Sequence, residues 1–523
     1  MNGPPVDALD VDVAVIGSGF AGSLAALVLR TQRRRVALIE RGRHPRFAIG
    51  ESTTPLTNLL LEELADRYGL PQIRPFSKWG TWKRARPDVA VGLKRGFTFL
   101  FHNLGERFVD DEHRSRQLLV AASPHNEIAD THWYRPDFDL ALVTDAQAAG
   151  AIYLDNTRLD EASETPTHVR LRGSRNGRAV DITAGFVIDA SGPRGFMARA
   201  LGSGSEPLRW LPPTQGLYTH FEQVALWAGD APRGPVPPYP PDAAALHHVF
   251  PGGWIWVLRF NNGITSAGAA LTDALATRIG AAEGQAAWDR LLALLPSVAD
   301  QFRGARATMP FVHVPRLAFR SGQIVGRRWA LLPSAAGVID PLLSTGFPLT
   351  LLGLLRLLAL LESGSEGRPR EAALADYAQT TRDELDVTEQ LVAALYASMT
   401  DTGLFKRLTL LYFAAASYTE AARRLARPHL APGFLLNQHP EFGAELRACA
   451  AIAAARPDAT ERAALLDRID AAITPFDIAG LRDRTRRDWY PALASDLLAG
   501  ASKLEATPRE LQRLLEQSGF SPA

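Results

Sequence analysis

The segment Gly17-Ser-Gly-Phe-Ala-Gly22 restricts the fold of this chain more than any other, because of what stands on either side of it. Before it lies Val11-Asp-Val-Ala-Val-Ile-Gly17, a short β-branched run of the kind that becomes a fully buried parallel strand. After it, Ala21 to Leu29 is helix-prone, and Arg35-Val-Ala-Leu-Ile-Glu40 reads as a second strand ending in an acid. Strand, helix and strand in that order predict a β-α-β unit. In such a unit the glycines permit a tight turn and let a pyrophosphate approach the start of the helix, where free amides and the helix dipole favour negative charge. Gly17, Gly19 and Gly22 hold the glycine places, Phe20 and Ala21 between them are expected to contact the cofactor as well, and Glu40 stands where an acid accepts hydrogen bonds from the adenosine ribose. An acid there disfavours a 2′-phosphate. A glycine-rich surface turn is the plainer reading of the glycines alone, but it leaves Glu40 without a purpose. NAD and FAD both fit this much of the pattern.

The chain's 523 residues allow two or three domains with ample core. The expected architecture is α/β: a Rossmann-like cofactor-binding domain with an inserted mixed β-sheet substrate domain and a helical C-terminal region. Cofactor-binding parts are expected at residues 1–80, 136–205 and 311–365, substrate-domain strands at 81–135 and 206–310, and helices at 366–523. Strand-like runs support the inserted sheet: Gly96 to His102, Gln117 to Val120, Ala245 to Phe250 and Trp254 to Val257, with Phe186 to Asp189 returning to the first domain. The Pro-rich stretch Pro232 to Pro241 is a surface connection, and from about Pro348 strands are expected to disappear. With 57 basic and 56 acidic residues the chain has no field that draws nucleic acid or an anionic membrane. One cysteine, Cys449, rules out an internal disulfide framework and any multi-cysteine metal site. Met1 to Asp10 lacks the pattern of a signal peptide and reads as a short disordered leader, which suits a cytoplasmic protein. Leu349 to Glu362 is too short to span a bilayer and carries Arg356, so a buried helix is expected.

Three further stretches carry a resemblance: His44-Pro-Arg-Phe-Ala-Ile-Gly-Glu-Ser-Thr53, Asp189-Ala-Ser-Gly192 and Ala335-Ala-Gly-Val-Ile-Asp-Pro-Leu-Leu-Ser-Thr-Gly346. Together they resemble the flavin-dependent halogenase family, in its phenol- and tetracycline-type branch. That family is close in fold to the p-hydroxybenzoate hydroxylase group of flavoprotein monooxygenases. The resemblance spans most of the chain and implies FAD rather than NAD. It assigns cofactor contacts to Arg46, Gly50 and Ser52 in the first stretch, Asp189 in the second, and Gly337, Asp340 and Pro341 in the third, where the Asp-Pro run passes beside the isoalloxazine. Ser334 departs from relatives that often carry an aspartate for the ribityl chain.

The resemblance also implies a reaction. Reduced flavin captures oxygen as a C4a-hydroperoxide, halide attacks it to give hypohalous acid, and a lysine presents the electrophile to an electron-rich aromatic ring in specialised metabolism such as antibiotic biosynthesis. Lys94 stands at that lysine's place, although a lone lysine beside Arg95 also reads as a surface side chain. Thr345 and Gly346 match the pair whose amides hold the halide, and equally a turn before a helix. Leu343 replaces the glutamate of tryptophan halogenases, so a phenol-like substrate is expected. Trp254 and Trp256 match the first half of the family's Trp-x-Trp-x-Ile-Pro motif at the substrate pocket, or simply pack one face of a strand. Leu258 and Arg259 replace its Ile-Pro, which favours an alternative: a halide-free FAD monooxygenase or oxidase acting on an aromatic molecule or a partner-protein side chain. The expected partners are an aromatic small molecule, free or carrier-bound, a halide ion and a separate flavin reductase, since no second nucleotide fingerprint is evident. Asp130-Thr-His-Trp-Tyr-Arg135 reads as a pocket entrance or an exposed loop, and His247-His248 as structural with no metal, because adjacent strand residues point to opposite faces.

Overall fold

The computed structural model describes residues 7–193, 195–227, 236–364 and 368–520. A seven-stranded sheet is built on Asp7–Ile16, which lies parallel to both Val36–Ile39 and Arg178–Asp189. Ile152–Leu154 extends one side, and Trp329–Leu331 pairs in parallel with Arg178–Asp189. The helix Phe20–Thr31 crosses between the first two strands, buried through Leu29. Every residue of Val36–Ile39 is buried, which is why that strand reads as an unbroken apolar run. The first strand starts at Asp7, so residues 7–10, expected as leader, instead pair with Val180–Thr183. They extend the strand beyond the core, with Ala8 and Asp10 exposed and Leu9 half-buried. Residues 1–6 of the expected leader, and residues 228–235 overlapping the Pro-rich connection, lie outside the described residues.

A nine-stranded sheet runs in the order Arg306–Ala307, Thr214–Glu222, Thr265–Thr272, Gly253–Arg259, Ala245–Phe250, Gly96–Phe101, Gln117–Ala121 and Trp489–Tyr490, with Val312–Val314 also on Thr214–Glu222. Its two faces are both buried. Phe97, Phe99, Trp254 and Trp256 face the main core, while Leu100, Ile255 and Val257 pack a second core with Trp288 and Phe302. Trp489–Tyr490 corrects the expectation that strands end near Pro348: two residues are too few for a periodic signal, and they join Leu119 and Val120 only through long-range pairing. The remainder of the C-terminal region is helical, led by Gly346–Glu362, Arg368–Ala397 and Thr402–Arg424. Arg356 in the first of these forms a two-point ion pair with buried Glu384 at 2.6 and 2.7 Å. Among the described residues no helix is long and apolar enough to cross a membrane.

Candidate active site

The nucleotide end assembles where Asp7–Ile16 stops. Gly17 has φ +94°, and a Cβ there would lie 2.4 Å from the Ala190 carbonyl oxygen. A Cβ on Gly22 would lie 1.9 Å from the Gly17 carbonyl, so turn and helix touch backbone to backbone. The helix Phe20–Thr31 has no side-chain cap and no acid in its first turn, leaving the amides of Phe20, Ala21 and Gly22 for an outside acceptor. Two guanidiniums flank that opening: a Cβ on Gly19 would stand 3.4 Å from Arg135 Nη2 and 3.6 Å from Arg46 Nη2. Unclaimed amides under two cations fit a pyrophosphate. Glu40 accepts from the Ser18 amide at 3.1 Å, the Ser18 hydroxyl at 2.9 Å and Arg46 at 3.2 Å through one oxygen, and from the Gly42 amide at 3.0 Å through the other. Burial pushes its carboxyl upward, but Arg46 and these hydrogen bonds prevail and hold it below the usual range. The acid is thus ionised and fixed beside the fingerprint, as a ribose partner must be.

Asp189 is fully buried and spends both oxygens on its own turn: Ser191 donates to one at 2.6 Å and the Met197 amide to the other at 2.6 Å. It shapes the turn that meets Gly17. Asp340 behaves similarly, accepting from the Leu342 amide at 2.9 Å and the Tyr396 hydroxyl at 2.8 Å. Burial pushes its carboxyl up to about 7 against those bonds. An acid raised in the folded state holds its proton more tightly than the unfolded chain does, so stability falls as pH rises from its ordinary 3.8 to about 7. Denaturant titrations of the flavin-free protein across that window are expected to show this negative slope, and Asp340→Asn to flatten it. Gly337 backs onto helix Arg368–Ala397, where a Cβ would meet Leu385 at 2.8 Å.

Two cavities lie deeper. The smaller, about 100 Å³, is walled by Gly50, Glu51, Ser52, His247, Trp254 and Trp256, with Pro341 and Gly346 at one side. The larger, about 210 Å³, is lined by Asn58, Phe97, Asp130, Tyr412 and Phe413 and reaches into the C-terminal helices. Lys94 lines neither but touches one wall residue of each. Its strand, Val91–Lys94, runs antiparallel to Asp130–Trp133, with Lys94 opposite Asp130. The ammonium is fully buried, donates to the Ser52 hydroxyl at 2.9 Å and to the Thr53 carbonyl, and sits 3.7 Å from the centre of the Phe97 ring. Ser52 faces the smaller cavity and Phe97 the larger. The surface reading of Lys94 is therefore excluded. Burial drives its pKa down while the opposing Asp130 resists, and burial drives Asp130 up while Lys94 resists. The segment from Asp130 is a buried strand rather than an exposed loop, because it supplies the pairing partner of the lysine strand.

Helix Gly346–Glu362 begins uncapped at Thr345, with no acid in its first turn and open space where a Gly346 Cβ would lie. Its first amides could receive an anion at the edge of the smaller cavity, which Gly346 lines. Leu343 is buried in the core, its carbonyl accepting from Tyr412 at 2.9 Å, and lines neither cavity. Trp254 and Trp256 stand on one strand face with ring centres 5.6 Å apart, and glycine at 268 makes room, since a Cβ there would be 2.4 Å from Trp256. Arg259 points the other way, to Asp242 at 2.8 Å and the Val224 and Ala225 carbonyls, so its charge leaves the cavity face unchanged. His247 lines the smaller cavity, pushed down to about 3 by burial and the Lys94 charge and hence neutral, while His248 bonds His102 at 3.0 Å on the opposite face. No group of three metal-binding side chains occurs among the described residues.

Sequence reading missed three participants. Arg135 is locked to Asp139 at 2.7 and 2.8 Å and donates to the Gly50 carbonyl at 2.9 Å. Glu51 pairs with His220 at 2.7 Å and leaves its second oxygen buried without a partner in the smaller cavity. Glu51 lay inside the quoted Gly50-Glu-Ser-Thr53, which was the available signal; His220 had none.

Residues 12–329 match the FAD dependent oxidoreductase family, so the chain belongs to that class and its cofactor is FAD. Within it, the chain is 30% identical over 412 residues to monodechloroaminopyrrolnitrin halogenase PrnC of Pseudomonas fluorescens, covering 76% of this chain and 70% of that protein. It is 31% identical over 344 residues to the tetracycline 7-halogenase of Kitasatospora aureofaciens, covering 64% of this chain and 60% of that one. The crystal structure of the halogenase PltM with phloroglucinol and FAD superposes with a TM-score of 0.80 at 26% identity, covering 91% of this chain and 99% of that one. The chain is a member of the flavin-dependent halogenase family.

Proposed function

We propose that this protein halogenates a small, electron-rich, phenol-like ring, using FADH2 delivered by a separate reductase and Lys94 to activate the halogen. The observation that carries this is the buried Lys94 ammonium, which touches Ser52 in the wall of one cavity and Phe97 in the wall of the other. Bound flavin would supply the redox chemistry that turns dioxygen and halide into hypohalous acid. The chain's own residues do the rest. The fingerprint amides and Arg46 hold the pyrophosphate, Glu40 the ribose, and the Thr345 and Gly346 amides the halide. Trp254 and Trp256 wall the smaller cavity from the substrate. Lys94 donates a hydrogen bond to hypohalous acid, making the halogen more electrophilic in a site where water does not compete.

The larger cavity, about 210 Å³, lies below the ~300 Å³ at which drug-sized pockets begin, which suits a molecule of one or two rings. PltM binds phloroglucinol, a phenol of that size, whereas a relative at 25% identity chlorinates a pyrrole held on a carrier protein. The halide-free alternative drew its support from Arg259, whose guanidinium faces the second core. Incubation with enzymatically supplied FADH2, oxygen, bromide or chloride and resorcinol is expected to give a ring-halogenated product by mass spectrometry. Oxygen insertion or dehydrogenation of the ring without any need for halide would decide for the alternative.

A further inference from the structure

Beside Lys94 stands a carboxylate that its neighbours only half satisfy. Asp130 is 4% exposed and accepts one hydrogen bond, from Asn58 Nδ2 to Oδ1 at 2.6 Å. Its Oδ2 is buried without a partner, and Lys94 spends its own hydrogen bonds on Ser52 and Thr53 instead. Asn58 Oδ1 and Thr419 Oγ1 are also buried and unpartnered, and all three residues line the larger cavity. Buried polar atoms left unpaired cost free energy unless a ligand answers them. Two of these three atoms can only accept, so the answering ligand donates, as a ring bearing O–H groups does.

We infer that Asp130 receives the substrate's hydroxyl and takes its proton as the halogen is transferred, with Asn58 holding the carboxylate in place. This rests on the halogenation reading above. As the ring carbon bonds to halogen, the O–X bond of hypohalous acid breaks with both electrons on oxygen. That oxygen takes a proton from the Lys94 ammonium and leaves as water. The phenol O–H proton passes to Asp130, so the ring is a neutral halodienone rather than a cation. The proton on the halogenated carbon then returns to the Lys94 amine, and Asp130 gives its proton back to the phenolic oxygen. One ring and one hypohalous acid become one halophenol and one water, with lysine and aspartate restored. A base placed this way contributes most where charge would otherwise build on the ring.

The test compares wild type with Asp130→Asn, which keeps the shape and the Asn58 contact but takes no proton. Resorcinol and 1,3-dimethoxybenzene serve as probes, with turnover by mass spectrometry and affinity by calorimetry. Wild type is expected to bind resorcinol at least tenfold tighter than its dimethyl ether, and Asp130→Asn to lose roughly 10²-fold in kcat with a smaller change in KM. The loss should shrink with fluorinated phenols that arrive already ionised, which a merely structural role would not produce. An unchanged kcat, or an equal loss for ionised phenols, overturns the inference. Should the variant not fold, equal affinity of wild type for resorcinol and its ether overturns it. If wild type halogenates no ring at all, the halogenation reading fails, while the affinity comparison still judges Asp130.

Discussion

Lys94→Met is expected to remove ring halogenation while the protein still folds and retains FAD. The loss should be about 10²- to 10³-fold in kcat if Lys94 acts as a hydrogen-bond donor to hypohalous acid, since that is what one donor is worth in a water-excluded site. A haloamine route would make the loss complete, because methionine has no nitrogen to carry the halogen. FAD retention is expected because the ammonium bonds Ser52 and Thr53 and not the fingerprint glycines, Arg46 or Glu40 proposed to seat the cofactor. Stability should change in a pH-dependent way. Without the cation across from it, burial and the Glu420 charge are opposed on Asp130 only by the Asn58 hydrogen bond and the Arg424 charge, and its carboxyl rises further, so the folded state binds that proton more tightly than the unfolded one. Stability is then lost as pH rises, and Lys94→Met should be better tolerated at pH 5 than at pH 8 in denaturant titrations. Halogenation at the wild-type rate by a folded Lys94→Met protein would remove the lysine from the chemistry.

That lysine also shows where sequence reading stops. The β-α-β unit was legible because its signals are local: a β-branched run, three glycines and an acid fall within thirty residues and obey one geometry. The burial of Lys94 depends on Ser52, Thr53 and Asp130, each some forty residues away, so nothing adjacent in sequence separates it from a surface lysine. Arg259 is the reverse case. Strand alternation already placed it on the face opposite Trp254 and Trp256, and its arginine-for-proline difference lost its bearing on the cavity once that face was known. Arg135 and Glu51 stood inside motifs the sequence singles out, but their contacts did not, because the partners Gly50 and His220 come from other elements.

The glycines of the fingerprint make two separable demands, and two substitutions tell them apart. At Gly19 a Cβ would meet only side-chain ends, the nearest at 3.4 Å, with φ −67° open to any residue. Gly19→Ala should therefore fold with near wild-type stability, yet bind FAD at least tenfold more weakly, because its methyl occupies the space through which the pyrophosphate nears the helix. At Gly22 the added carbon would lie 1.9 Å from the Gly17 carbonyl, a backbone atom that cannot step aside, and 3.2 Å from Ala190 Cβ. Relief requires the first helical turn to move off the strand, which costs at least the 1–3 kcal/mol or so of an overpacked core and misaligns the amides that hold the pyrophosphate. Gly22→Ala is expected to purify colourless and to melt well below both wild type and Gly19→Ala. A yellow, fully stable Gly22→Ala protein would mean that strand and helix do not meet at Gly17 and Gly22 as described. The cofactor's seat would then have to be sought elsewhere in the chain.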